Sequence, residues 1–144
     1  NAYTLPDRPS TTDYVKLKVP MRLDQYSVRL QRYRDYPEIV PFAGWLPSNN
    51  TPGIGPTNTL PWYNAYNETK HDRENRFELA SLEHAISAVA ALHVLLIAQY
   101  GPTTHRQLTR DSFFVLSNWP TWHAKDRTYP PLPGAPWVPL PYTF

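Results

Sequence analysis

The 17 prolines of this 144-residue chain are placed so that one long segment contains none of them. Proline fixes φ and has no N–H to donate, so it ends helices and interrupts sheets. Prolines occur from Pro6 to Pro61 and again from Pro102 to Pro141. The forty residues between Pro61 and Pro102 are therefore the only room for a long helix.

This proline-free segment predicts one long helix over residues 67–101. Asn67 is a suitable N-cap, because its side chain can accept hydrogen bonds from the free N–H groups of the first turn. Gly101 followed by Pro102 is a typical helix stop. The first half of the segment is charged and the second half is apolar.

The apolar half, residues 85–98, contains only two polar side chains, Ser87 and His93. On a helical wheel, one face carries Ala85, Val89, Leu92 and Leu96, and the other faces are also apolar. A helix that is apolar all round is usually buried on every side. No other segment is long enough to cover it, so we predict a transmembrane helix over 79–101. A helix buried within a large complex is the alternative.

The segments on either side read as extended arms. Residues 1–66 form an N-terminal arm, with a short amphipathic helix predicted near 21–36. Residues 102–144 form a Pro-rich C-terminal arm, with one more short helix predicted near Asp111–Leu116 and polyproline II structure at its end. The predicted fold is mainly α with much irregular structure: a single transmembrane helix flanked by Pro- and aromatic-rich arms, without an independent globular core.

Composition and motifs give no sign of catalysis. The net charge of +2 is not the footprint of a nucleic-acid binder, and the absence of cysteine excludes thiolate chemistry. The sequence contains no metal-ligand, nucleophile or phosphate-loop motif. We therefore predict no catalytic residue, cofactor or metal. For His93, a neutral side chain hydrogen-bonded to a neighbouring helix is favoured over a functional group.

Candidate contact residues lie in the helix and in the arms. Ser87, Ala91 and Ala98 form a face of small residues on which another helix could pack closely, although alanine is also simply a good helix former. The candidate docking residues of the arms are large aromatic or proline side chains: Tyr26, Tyr36, Pro37, Trp62, Tyr63 and Trp137. We expect them to contact partner subunits.

The segment Met21–Ile39 resembles the ASHI family, which is subunit eight of the beta subcomplex of mitochondrial respiratory complex I. That family has a Met-Arg-apolar-acidic-x-Tyr stretch, as at Met21–Tyr26, and a Tyr-x-Asp-Tyr-Pro-x-aliphatic stretch, as at Tyr33–Ile39. A Pro-Trp-Tyr follows, as at Pro61–Tyr63. One transmembrane helix and a Pro- and Tyr-rich tail complete the family's layout.

The resemblance implies a non-catalytic accessory subunit of the membrane arm of NADH:ubiquinone oxidoreductase, one that supports assembly and stability. Its implied partners are antiporter-like core subunits, neighbouring accessory subunits and membrane lipid. The implied location is the mitochondrial inner membrane, in a single pass. Ten Lys or Arg residues precede the predicted span and four follow it, which favours the matrix side for the N-terminal arm. The alternatives are an accessory subunit of cytochrome oxidase, cytochrome bc1 or ATP synthase, or a soluble scaffold protein.

Overall fold

The computed structural model describes residues 6–47, 54–100 and 113–121 of the chain. About 48% of these residues are helical, and irregular segments join the elements. The α-helices are α1 (Thr11–Tyr14), α2 (Pro61–His71), α3 (Arg73–Arg76) and α4 (Leu82–Tyr100). Short 3-10 helices span Val15–Leu17, Leu23–Gln25 and Phe77–Leu79, and two strands are present, β1 (Ser27–Leu30) and β2 (Phe114–Asn118).

The long helix α4 begins later than the sequence predicts. Its first turn is capped by Ser81, whose hydroxyl accepts a hydrogen bond from the backbone N–H of His84 at 3.2 Å. Glu83 lies in that first turn, where a negative charge complements the helix dipole. The helix then continues to Tyr100 without interruption.

The predicted single helix over 67–101 is instead a series of helices, which corrects the sequence-based boundary. Pro61 opens α2 as its first residue, where the missing N–H costs nothing. Asp72 then leaves the helical region, with φ −140° and ψ 66°. The chain turns through α3 and a 3-10 helix, so that α2 packs against α4. No Gly or Pro lies at this break, and the packing of α2 against α4 accompanies it.

The predicted helix near 21–36 is also replaced. A 3-10 turn at Leu23–Gln25 leads into β1, which pairs antiparallel with β2 in a two-stranded sheet. In the register, Val28 lies opposite Leu116 and Leu30 opposite Phe114. Strand β2 likewise stands where a helix near Asp111–Leu116 was predicted. Pairing across the chain, which local periodicity cannot show, determines both strands.

A contiguous hydrophobic core surrounds one face of α4, so the expectation of a chain without its own core is wrong. Val28 and Leu23 are fully buried, and β1, the segments beside it and α2 contribute further side chains. The buried residues are Val15, Met21, Leu23, Tyr26, Val28, Leu30, Ile39, Phe42, Trp45, Leu60, Ala90, Ala91, Val94, Ile97 and Phe114. The arms supply these residues one or two at a time, which hides them from a search for periodic elements.

Two valines of α4 test which face of the helix the core covers. Val94 is 0% exposed and Val89 is 55% exposed, on the same helix. We expect Val94→Ala to lower the free energy of unfolding by roughly 1.5–3 kcal/mol, because it removes buried methyl groups and leaves a cavity.

The matched control is Val89→Ala, which removes the same atoms and alters helix propensity by the same amount. It is expected to change the free energy of unfolding by no more than about 0.5 kcal/mol. Urea unfolding followed by circular dichroism measures both. Equal effects of the two substitutions would contradict a core on the Val94 face.

Candidate functional site

One side of α4 carries a continuous row of exposed apolar residues, which we call the exposed stripe. Leu82 is 76% exposed, Leu92 57% and Leu96 43%. The stripe consists of Leu82, Ala85, Val89, Leu92 and Leu96. These positions alternate steps of three and four residues, so they lie along one face of the helix.

The opposite side of α4 is the buried side. Ala90, Ala91, Val94 and Ile97 pack into the core and are essentially inaccessible. The helix therefore has two apolar sides, and the described part of the chain covers only one of them. Large exposed apolar patches mark interaction sites in soluble proteins and membrane contacts in others.

By length and composition, α4 is one helix that could cross a membrane. Its 19 residues measure about 28 Å at 1.5 Å per residue, close to the roughly 30 Å of a hydrocarbon core. Core helices of soluble proteins can have the same length and composition. The exposed stripe is the feature that distinguishes α4 from an ordinary core helix.

The predicted helix-packing residues lie away from the exposed stripe. Ala91 is buried in the core of the chain itself, and Ala98 packs against that core. Ser87 is partly buried and lines a groove between α4 and the N-terminal region. Their small side chains leave space for elements of this same chain.

The predicted docking residues of the arms lie in different surroundings. Tyr26 is buried in the core, so a contact between its side chain and a partner would require it to leave the core. Trp62 and Tyr63 are partly buried, pack against the core and meet edge to face at 5.8 Å. Tyr36 and Pro37 line the groove described next, and Trp137 lies outside the described residues.

A second candidate surface is a groove of about 480 Å³ beside the first turns of α4. We call it the proline–aromatic groove, and its principal lining residues are Tyr36, Pro37, Pro41 and Trp62 with the acidic Glu38 and Glu83. The indole N–H of Trp62 donates a hydrogen bond to the carbonyl of Pro41 at 2.8 Å. Phe42 meets the Trp62 ring edge to face at 6.2 Å. These contacts hold the wall of the groove in place.

Glu38 stands where this groove meets the sheet. The Ser27 hydroxyl donates a 2.6 Å hydrogen bond to its Oε1, and the Ser117 hydroxyl lies 3.1 Å from that of Ser27. Hydrogen bonds from Ser117 and Ser27, and the charge of Arg29, lower the pKa of Glu38. The carboxylate is therefore a fixed negative charge at neutral pH.

No histidine belongs to a metal-binding cluster in the described ranges. His93 is partly buried, with its ring 5.5 Å from that of Phe114, and His84 Nδ1 lies 2.9 Å from the carbonyl of Leu79. Among residues 6–47, 54–100 and 113–121, no group of three His, Asp or Glu side chains could hold a metal ion. The absence of a cofactor and of catalysis remains a prediction.

Four stripe residues share one face of the predicted helix. The sequence alone did not distinguish that face from the other apolar faces. The signal was present in the alternating spacing, which is typical of a helix that packs on another helix. The groove left no comparable signal, because residues 36–41, Trp62 and Glu83 meet only through the fold.

The hydrogen bonds to Glu38 generate a testable pKa shift. We expect Ser117→Ala to raise the pKa of Glu38 toward its ordinary value of 4.5, because the substitution removes the largest stabiliser of the charged form. Since the folded pKa is depressed, these bonds stabilise the fold above pH 4.5, and that contribution is lost as the pH falls through the folded pKa.

Titration of the Glu38 side-chain carboxyl carbon by NMR measures the shift. Ser10→Ala is the matched control, because the Ser10 hydroxyl bonds Asp13 at 3.1 Å in a different part of the chain. An unchanged Glu38 pKa in Ser117→Ala would contradict the assigned cause.

Comparisons with known proteins identify no relative of this chain. No protein-family model, curated protein or solved structure matches the chain.

Proposed function

We propose that this chain is a non-catalytic accessory subunit of the membrane arm of mitochondrial NADH:ubiquinone oxidoreductase, where it supports assembly and stability. The observation that carries the attachment part of this proposal is the exposed stripe of α4. The choice of this complex, and of the mitochondrial inner membrane, rests on the resemblance of Met21–Ile39 and Pro61–Tyr63 to the ASHI family.

The exposed stripe has a clear energetic preference for an apolar surface. Burial of one large aliphatic side chain contributes roughly 1.5–3 kcal/mol, and four such side chains lie in the row. Association costs several kcal/mol in lost motion, so only part of this gain becomes affinity. Contact with an apolar surface is therefore favoured over exposure of the stripe to water.

The spacing of the stripe favours an α-helix as its partner. Side chains spaced three and four residues apart form a row along one helix face. Such a row can pack between the side chains of another helix. We infer that the stripe packs on a helix of a neighbouring subunit. The antiporter-like core subunits implied by the resemblance are the candidates for that neighbour.

The pairing of β1 with β2 limits how the two arms can be arranged relative to a membrane. Strand β1 precedes α4 and β2 follows it, yet the two strands pair. Phe114, the first residue of β2, contacts His93 near the middle of α4. A single pass with the arms on opposite sides of the bilayer would separate these strands. The pairing therefore supports an arrangement in which both arms remain on one side, and the basic N-terminal arm favours the matrix side.

A soluble scaffold protein is the second candidate function. The core on the Val94 face of α4 favours it, because such packing is typical of a helix in a water-soluble domain. In that case the stripe would pack on a partner outside the membrane. An accessory subunit of cytochrome oxidase, cytochrome bc1 or ATP synthase would use the stripe as proposed for complex I.

The stripe can be tested in the native membrane. We expect the wild-type chain to comigrate with NADH dehydrogenase activity on a native gel. The double substitution Val89→Ser with Leu92→Ser is expected to abolish comigration, because it makes the centre of the stripe polar.

The matched control is Val19→Ser with Val40→Ser, which changes two exposed apolar residues outside α4. Comigration with cytochrome oxidase or ATP synthase activity would transfer the proposal to that complex. Migration of the wild-type chain apart from all three activities would support the soluble scaffold, and comigration of the stripe variant with NADH dehydrogenase activity would exclude the stripe as the contact.

Cysteine labelling tests the arrangement of the arms. The chain has no cysteine, so a membrane-impermeant maleimide labels only an introduced site. Val19→Cys lies before α4 and Trp119→Cys after it, both at exposed positions. In sealed mitoplasts and inverted vesicles, we expect both sites to react from the same side. Reaction from opposite sides would show that α4 crosses the membrane and that β1 and β2 do not pair there.

A further inference from the structure

The proline–aromatic groove has the chemistry of a site for a proline-rich peptide. Polyproline II segments bind grooves that are lined by aromatic rings, since their rigid backbone loses little entropy on binding. Tyr36, Pro37, Pro41 and Trp62 supply such a lining, and the 480 Å³ of the groove is within the range of about 300–1,000 Å³ for ligand pockets. The acidic Glu38 and Glu83 add a preference for a basic residue.

The C-terminal region of this chain contains a segment of that chemistry. Residues 127–133 read Arg-Thr-Tyr-Pro-Pro-Leu-Pro. A polyproline II helix has three residues per turn, so Arg127, Pro130 and Pro133 would share one face. That face would present one positive charge and two proline rings, spaced about 9 Å apart at 3.1 Å per residue.

The segment can reach the groove from where the described chain ends. Ser117 on β2 bonds with Ser27, which holds Glu38 at the edge of the groove. The described chain ends at Thr121, and the six residues from there to Arg127 span up to about 20 Å when extended. Strand β2 ends at Asn118 opposite Ser27, and the carbonyl of Thr121 accepts a hydrogen bond from Arg22 at 2.7 Å.

We propose that residues 127–133 of the same chain dock in the proline–aromatic groove, with Arg127 paired to Glu38 and the two prolines on the wall of Tyr36, Pro37 and Trp62. Charge complementarity sets the direction of the segment, because Glu38 is the groove residue tied to β2. This inference does not rest on the proposed function, since the groove and the exposed stripe are different surfaces.

Crosslinking in the purified full-length chain tests the proposal. Ala43→Cys places a thiol on the exposed edge of the groove, and Gly134→Cys places one just after the proline motif. We expect a short bis-maleimide to join them within one chain. The rate should exceed that of Val19→Cys with Gly134→Cys by roughly fivefold or more. The reason is that docking raises the effective concentration of the thiol at position 134 near position 43 above that of a freely moving tail.

Substitutions in the motif and the groove identify the contacts. Pro130→Ala with Pro133→Ala is expected to reduce the rate to that of the Val19 control. Glu38→Lys alone should slow the reaction, and Glu38→Lys combined with Arg127→Glu should restore it, which a merely structural role of Glu38 would not produce.

Three results would overturn the inference. Equal rates at the Ala43 and Val19 sites would mean that the groove does not hold the tail. Crosslinks between two chains that disappear on dilution would assign the groove to a second copy. An undiminished rate after Pro130→Ala with Pro133→Ala would exclude recognition of the proline motif.

Discussion

The fold depends on how a helix with apolar residues on all sides is covered. The side of α4 that carries Val94 and Ile97 is buried by side chains from β1, from the segments around it and from β2. The stripe side remains exposed over most of the helix length. The rest of the architecture follows from this one-sided coverage, because the short elements are arranged around a single buried face.

The pairing of β1 with β2 makes that coverage possible. The two strands are separated by more than eighty residues, and closing such a loop costs entropy that local structure does not offset. Burial of Val28, Leu30 and Phe114 against α4 offsets it instead. The hydroxyls of Ser27 and Ser117 then join the strand end to Glu38, so the same pairing fixes the acidic edge of the groove.

The sequence predicted the features that depend on local chemistry. The proline-free segment located the apolar helix, but Asn67, the predicted N-cap, lies inside α2. The break at Asp72 was missed because it has no local breaker, and it accompanies the packing of α2 on α4. Leu23, Tyr26 and Leu30 have helical spacing, yet Leu23 lies in a 3-10 turn and Leu30 in a strand, with Tyr26 between them. The pairing of β1 with β2, which local spacing cannot show, determines this structure. The resemblance to the ASHI family remains an expectation.

The candidate surfaces were less predictable than the helix that carries one of them. A wheel of α4 showed several apolar faces, and only the tertiary packing decides which one is free. The groove required three distant segments to meet, around Tyr36, Trp62 and Glu83. On α4, Glu83 and Ser87 project well away from the row that contains Val89 and Leu96, since residues on a helix turn by about 100° per position. A helix packed on the stripe would therefore leave the groove open, so each surface can be altered and assayed without disturbing the other.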